Sequence, residues 1–285
     1  MLAGEACYSC LVEQSRRALR LRRLDSRRER EVLKRVEEFL EARYSPEAVP
    51  ALLGTELHRL LKALTACDDP FSEAKARANA LAMALLPGAR EFISRAKDRF
   101  EAAVKVALAG NLLDYGVYGA SAGKEALLAA LKEEPAINHI PELREKAEHA
   151  ERVLYLLDNA GEIAFDRLLI EELRSLGLEV TAAVKSKPII NDATLADARR
   201  VGLTEVCRVI TTGSDVVGVN FGEASQELLR EFGRADFVIA KGQGHFETLD
   251  DYKGKPLAFL LKAKCTTVAE ALKVPQGSGV VLVRR

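Results

Sequence analysis

The sequence has no tryptophan, two methionines and four histidines, and nowhere do 18 apolar residues run together. The missing apolar run argues against a transmembrane helix. The histidines (His58, His139, His149, His245) are scattered, so no His-rich zinc motif is present. Charge of neither sign dominates: 42 basic residues balance 42 acidic ones, which gives no overall pull toward nucleic acid or membrane. The five cysteines (Cys7, Cys10, Cys67, Cys207, Cys265) are odd in number and too sparse for a disulfide scaffold, which suits a reducing compartment. The opening M-L-A-G-E-A-C-Y-S-C lacks the basic start and apolar stretch of a signal peptide, so cytoplasmic residence is the expectation. Internal repeats, low-complexity segments and a Walker A sequence are also missing.

What is present is core material: 285 residues, 48% of them hydrophobic, enough for one large domain or two. Positions 1 to 110 read as helices. Val32, Val36, Phe39 and Leu40 recur at helical spacing, as do Leu53, Leu57, Leu60, Leu61 and Leu64. Breaks are expected at Ser45-Pro46, Asp69-Pro70 and Pro87-Gly88, the last closing a helix over 71–86, with another over 89–113. After Pro135 and Pro141 short apolar runs at 153–157, 179–184, 206–211, 236–240, 257–261 and 280–283 alternate with helical patterns, the first over 162–176. Such alternation predicts an α/β fold: a Rossmann-like, mainly parallel sheet flanked by helices. The expected division is a helical domain over 1–110 and an α/β domain over 111–285 that carries the site.

The run at 153–157 stops at Asp158-Asn159, and Asp192 follows the next run through K-S-K-P-I-I-N-D. In an open α/β sheet, ligands bind at the carboxyl ends of the strands. If the two strands are neighbours, two carboxylates and an amide oxygen converge. Such an all-oxygen set suits one hard divalent ion, with positions left for water and a phosphate oxygen. Each aspartate alone could be a loop residue or a helix cap; the pair at matched strand ends points to a site. Gly161 permits a sharp turn and close approach to a ligand, and Glu162 can cap the following helix or hold a water. Lys241, Gly242, Gly244 and His245 lie in K-G-Q-G-H-F-E at a later strand end, a candidate phosphate cradle, although Glu247 stands where a dinucleotide fingerprint needs its third glycine. T-T-G-S-D at 211–215 is another polar strand-end loop. Lys262 and Lys264 share a face by alternation, so one could reach the site; a solvated pair is the alternative. Gly110, Asn111, Asp114 and Gly116 read as a glycine helix stop, with Asn111 and Asp114 kept as candidate substrate ligands. Cys7-Tyr8-Ser9-Cys10 is a single C-x-x-C, which with Cys67 could bind metal or be redox active, or could supply buried thiols. Eight arginines between positions 16 and 30 are diluted by acids and read as a solvated face.

Taken together, D-N-A-G-E-I-A-F-D, the K-x-x-P-x-x-N-D-A-T loop and F-V-I-A-K-G-Q-G-H-F-E resemble the damage-control phosphatase family, first catalogued as a domain of unknown function. Supporting matches are C-Y-S-C-L-V-E-Q, C-D-D-P-F with Lys75 and Asn79, A-G-N-L-L-D-Y-G and L-L-K-A-K-C, so the resemblance spans nearly the whole chain, in the manner of the short archaeal and bacterial forms. It implies a metal-dependent phosphatase that clears phosphorylated metabolites such as sugar phosphates or damaged phosphorylated cofactors. The family's metal ligands would fall on Asp158, Asn159 and Asp192, its substrate loop on 241–246 and its phosphate-contacting lysine on Lys264. His245 departs from the pattern, where asparagine is more familiar.

The expected mechanism places one divalent ion (Mg²⁺, Mn²⁺, Co²⁺ or Ni²⁺) on Asp158, Asn159 and Asp192, as Lewis acid and template for a small phosphorylated metabolite. Lys264, with Lys241, neutralises phosphoryl charge, and either water or Asp158 attacks. A non-catalytic metabolite-binding protein is the alternative. An adenosylmethionine-dependent methyltransferase ranks below both, because no glycine-rich loop follows the first strand.

Overall fold

Residues 1–110 and 120–284 are described by a computed structural model; Asn111 and Asp114 lie outside the described residues. In chain order the helices are α1 (Ala6–Arg22), α2 (Ser26–Arg43), α3 (Pro50–Thr65), α4 (Ser72–Arg95), α5 (Arg99–Gly110), α6 (Ala120–Ala130), α7 (Ile140–Glu148), α8 (Glu162–Ser175), α9 (Leu195–Arg200), α10 (Gln226–Arg234), α11 (Gly242–Leu249) and α12 (Thr266–Leu272). The strands are β1 (Ile137–Asn138), β2 (Arg152–Leu156), β3 (Glu179–Val184), β4 (Arg208–Thr211), β5 (Phe237–Lys241), β6 (Leu257–Lys262) and β7 (Gly279–Arg284). They form one sheet in the order β1-β7-β6-β5-β2-β3-β4, parallel except for the antiparallel β6–β7 pair. The α/β expectation is met.

Period-two alternation decides which face each strand residue takes. Along β2 and just beyond it, Val153, Tyr155 and Leu157 share a core with α4, α5 and α8, while Leu154 and Leu156 share the opposite core with α10, α11 and α12. Both faces are covered, so the strands read as continuous apolar runs. The helices of the first 110 residues divide between two cores. Helices α1, α2 and α3, with Phe71, enclose one of their own, whereas α4 and α5 pack on α8 against the sheet.

Helix α4 runs through Pro87, where the sequence suggested a stop. Pro87 and Gly88 sit on the exposed side, while Leu85, Leu86, Ala89 and Ile93 keep a buried stripe unbroken. The hydrogen bond lost at proline therefore falls on the solvent face, and burial on the other carries the helix across it. The chain breaks later, and Asp98 Oδ1 then accepts from the Glu101 N–H at 3.0 Å in the first turn of α5. The two-residue β1 was not foreseen, being too short to carry a period.

Order along the sheet fixes where a ligand goes. From β2 the chain moves outward through β3 and β4, then returns to the other side of β2 as β5. The carboxyl ends of β2 and β5 therefore flank the topological switch point. Helix α3 is clamped beside that edge by the loop after β4: Asp215 accepts from Arg59 at 2.6 Å and Lys62 at 2.7 Å, and the Val217 N–H donates to Thr55 Oγ1 at 3.0 Å. The T-T-G-S-D loop thus docks the α1–α3 unit.

Glu247 in α11 is buried, and burial pushes its carboxyl up to about 7 against the opposing hydrogen bond from the Ala51 backbone. A folded pKa above the unfolded value means the fold prefers the protonated acid, so stability falls as pH rises from the unfolded pKa toward 7 and is level above it. Glu247→Gln keeps the acceptor and removes the charge. Its melting temperature at pH 8 should exceed that of the parent by an amount equivalent to about 3 kcal/mol, the gap closing near pH 4; equal melting curves at pH 8 would contradict this.

Candidate active site

Asp158 and Asn159 leave the end of β2, and the loop after β3 returns to meet them. Asn159 and Asp192 form an antiparallel bridge, the Ala160 N–H donates to Asn191 O at 2.9 Å, and the Ala193 N–H donates to Asp158 O at 2.8 Å. These two backbone hydrogen bonds, which make the bridge, bring together the residues that the sequence proposed as metal ligands. Ile190 in this loop has φ 43°, a conformation that β-branched residues rarely adopt and that costs on the order of 1–3 kcal/mol. The links on either side hold it there.

Side chains complete the arrangement. Asn159 Nδ2 donates to Asp158 Oδ2 at 2.6 Å and to Glu162 Oε2 at 3.0 Å, which leaves the amide oxygen as the atom able to ligate a cation. Asp192 Oδ2 is buried without a hydrogen-bond partner, with Lys185 Nζ 3.7 Å away. Burial, then the charges of Glu162 and Asp192, raise the Asp158 carboxyl well above the carboxylate range, opposed by Lys264 and Lys185. Burial raises Asp192 to about 6 despite Lys185 and Lys75. Two desolvated carboxyls, that of Asp192 with an orphaned oxygen, and an amide oxygen fit a hard divalent cation. Among the described residues no cluster of three or more His, Cys, Asp or Glu side chains could hold a metal. This set relies on an amide for its third oxygen, as Mg²⁺ sites that keep water and take substrate oxygens commonly do.

The D-N-A-G-E turn is locked from behind. Gly161 has φ 81°, its N–H donates to Asn79 Oδ1 at 2.7 Å, and a Cβ there would lie 2.9 Å from the Ala78 backbone. Its close approach is to α4, where the sequence suggested a ligand. Glu162 is fully buried; burial works to raise its pKa, but Lys241 outweighs that and holds it low. Lys241 Nζ lies 2.5 Å from Glu162 Oε1, 2.7 Å from Asp166 Oδ1 and 3.0 Å from Ala107 O, and Tyr155 Oη donates to Asp166 at 2.8 Å. Lys241 therefore sits behind the site in a buried ion triad, outside the cleft lining. The stretch read as a glycine cradle is the end of β5 and the first turns of α11. His245 within it is buried, with Nδ1 2.7 Å from Lys241 O, and burial followed by Lys185 lowers it to about 3.

Gly242 has φ 76°, and a Cβ on it would overlap the Asp158 carboxylate. Only glycine fits beside that side chain. Gly242→Ala should displace Asp158 and lower kcat/KM about a hundredfold; full activity would show that Asp158 tolerates the shift.

Above these groups opens a cleft of about 260 Å³. Of the residues proposed from sequence, Asp158, Asn159, Asp192, Gly244 and Lys264 line it, while Gly161, Glu162, Lys241, Gly242 and His245 lie behind. Its other wall comes from the helical unit: Gln14 and Arg17 of α1, His58 of α3, and Phe71. Sequence reading missed these. His58 is buried with Nε2 lacking a hydrogen-bond partner, and burial, then Lys62, lowers it to about 4, so the imidazole is neutral at pH 7. Its place in the apolar stripe of α3 disguises it as core. Lys185, buried beside Asp192 and donating to Gly218 O at 2.6 Å, was likewise not singled out.

Residues 3–280 match the family model described as the damage-control phosphatase ARMT1-like domain. A damage-control phosphatase of Pyrococcus horikoshii is 38% identical over 279 residues, covering 97% of this chain and 96% of that one. Another from Archaeoglobus fulgidus is 38% identical and covers 86% of each chain. An uncharacterized protein of Methanocaldococcus jannaschii is 39% identical, covering 98% of this chain and 94% of its own. The crystal structure of a P. horikoshii protein of the family of unknown function numbered 89 superposes over 100% of both chains, with a TM-score of 0.93 at 37% identity. The chain belongs to the damage-control phosphatase ARMT1-like family.

Proposed function

We propose that this protein is a divalent-metal-dependent phosphatase that hydrolyses small phosphorylated metabolites, sugar phosphates or damaged phosphorylated cofactors, in a house-cleaning role. The observation that carries this reading is the meeting of Asp158, Asn159 and Asp192 at the sheet's switch point, beneath a cleft that Lys264 and Arg17 line. Asp158, Asn159 and Asp192 would hold the cation, which when bound supplies Lewis acidity and a template for the phosphoryl group. Glu162 fixes the Asn159 amide so that its oxygen, not its nitrogen, serves as ligand. Lys264 neutralises charge on the phosphoryl oxygens as the ester bond breaks, and the first N–H groups of α11 favour the same anion. His58, neutral, short of one hydrogen bond and on the wall of the polar cleft, suits the oxygen that joins phosphate to alcohol. Water is the nucleophile in this reading, because Asp158 is committed to the cation.

The test is a panel of phosphometabolites assayed with Mg²⁺, Mn²⁺, Co²⁺ and Ni²⁺ separately and with chelator. Release of phosphate that requires one of these ions supports the reading. Chelator-insensitive ligand binding without turnover would replace it with a binding protein.

A further inference from the structure

The polar cleft has a second chamber. A cavity of about 340 Å³ shares with it a wall made by Gln14, Ile190, Val217, Gln243, Gly244 and Lys264, and extends away from the metal-ligand candidates. Its far side is built by Cys7, Cys10, Leu11, Ala51, Gly54 and Cys265. The two chambers differ in charge. Asp158, Asp192 and Arg17 line the first; in the second, among the described residues, the charged side chains are Glu247 and the shared Lys264. The thiols of the second chamber are engaged by neighbours: Gln14 Nε2 donates to Cys10 Sγ at 3.4 Å, Gln243 Nε2 donates to Cys265 Sγ at 3.6 Å, and Cys7 Sγ lies 3.5 Å from Thr267 Oγ1. Few hydrogen-bonding demands are left for a ligand to meet. A charged arm, or one rich in hydroxyls, would lose water here without replacement, whereas an aliphatic arm loses nothing.

Resting on the phosphatase reading above, and narrowing its substrates away from sugar phosphates, we infer that the second chamber receives the alcohol portion of the substrate, and that this portion is uncharged, extended and largely apolar. Lys264 on the shared wall marks where the phosphate end stops and the arm begins. The bond broken is unchanged: the ester P–O bond is cleaved by water, giving inorganic phosphate and the free alcohol.

The experiment compares kcat/KM for ethyl, butyl and hexyl phosphate and for sorbitol phosphate, a polyol of hexyl length, on the full chain loaded with Mn²⁺. Each buried methylene should raise kcat/KM about threefold, for a rise of about eightyfold from ethyl to hexyl, with sorbitol phosphate well below hexyl phosphate. Cys10 is solvent-exposed, so Cys10→Phe should fold and should flatten this slope by filling the chamber's mouth. A flat series in the parent, or a slope unchanged in Cys10→Phe, overturns the inference while leaving the phosphatase reading intact. Absence of turnover of every ester overturns both.

Discussion

Asp158→Asn should lose at least about a thousandfold in metal-dependent turnover of a simple phosphate ester, and should melt above the parent when both are metal-free. Both effects have one cause. Asp158 is buried among Glu162 and Asp192, and its carboxylate fills the space that a Cβ on Gly242 would need. Without a cation, that charge is a liability, which is why its pKa stands well above normal. The sign follows: at pH 8 the unfolded chain ionises Asp158 freely while the fold resists it, so a neutral isostere stabilises the fold. Adding Mn²⁺ should raise the melting temperature of the parent and leave the variant unmoved. Unchanged turnover in Asp158→Asn would remove it from the site.

The second large effect is on folding. Lys241→Met should destabilise the protein by about 3–5 kcal/mol, a large fraction of a domain's total, because it leaves Glu162 and Asp166 buried without their cation. Burial drives Asp166 up to about 7 even with Lys241 present, since Glu162 adds to the effect and only Lys241 and Tyr155 oppose it. Restoring neutrality with Glu162→Gln and Asp166→Asn in the same chain should recover much of the melting temperature but not activity, because the Asn159 amide loses a charged anchor. A Lys241→Met protein as stable as the parent, but inactive, would instead place the ammonium at the substrate.

That contrast shows what the sequence can and cannot carry. Strand–helix alternation from position 153 was readable because strands covered on both faces are solidly apolar, and the strands lie within a residue or two of expectation. The convergence of Asp158 and Asp192 was readable too, because neighbouring parallel strands end on one edge. A lysine at a strand end, by contrast, looks the same whether it meets substrate or a buried acid. The clue to Lys241 lay elsewhere, in E-I-A-F-D, where Glu162 and Asp166 are four apart between apolar residues and so face the core. Pro87 misled because whether a proline stops a helix depends on which side faces water. His58 and Arg17 were hidden because the cleft's second wall forms only when α1 and α3 dock across the sheet edge through Asp215, a contact between residues 156 positions apart.

The most direct test of the central claim is an anomalous difference map from a crystal soaked in Mn²⁺. The account predicts a peak at coordination distance from Asp158, Asn159 Oδ1 and Asp192 Oδ2, at the carboxyl ends of β2 and β3. A fully soaked crystal with no peak there, or with its only peak among the thiols of Cys7, Cys10 and Cys265, would contradict it.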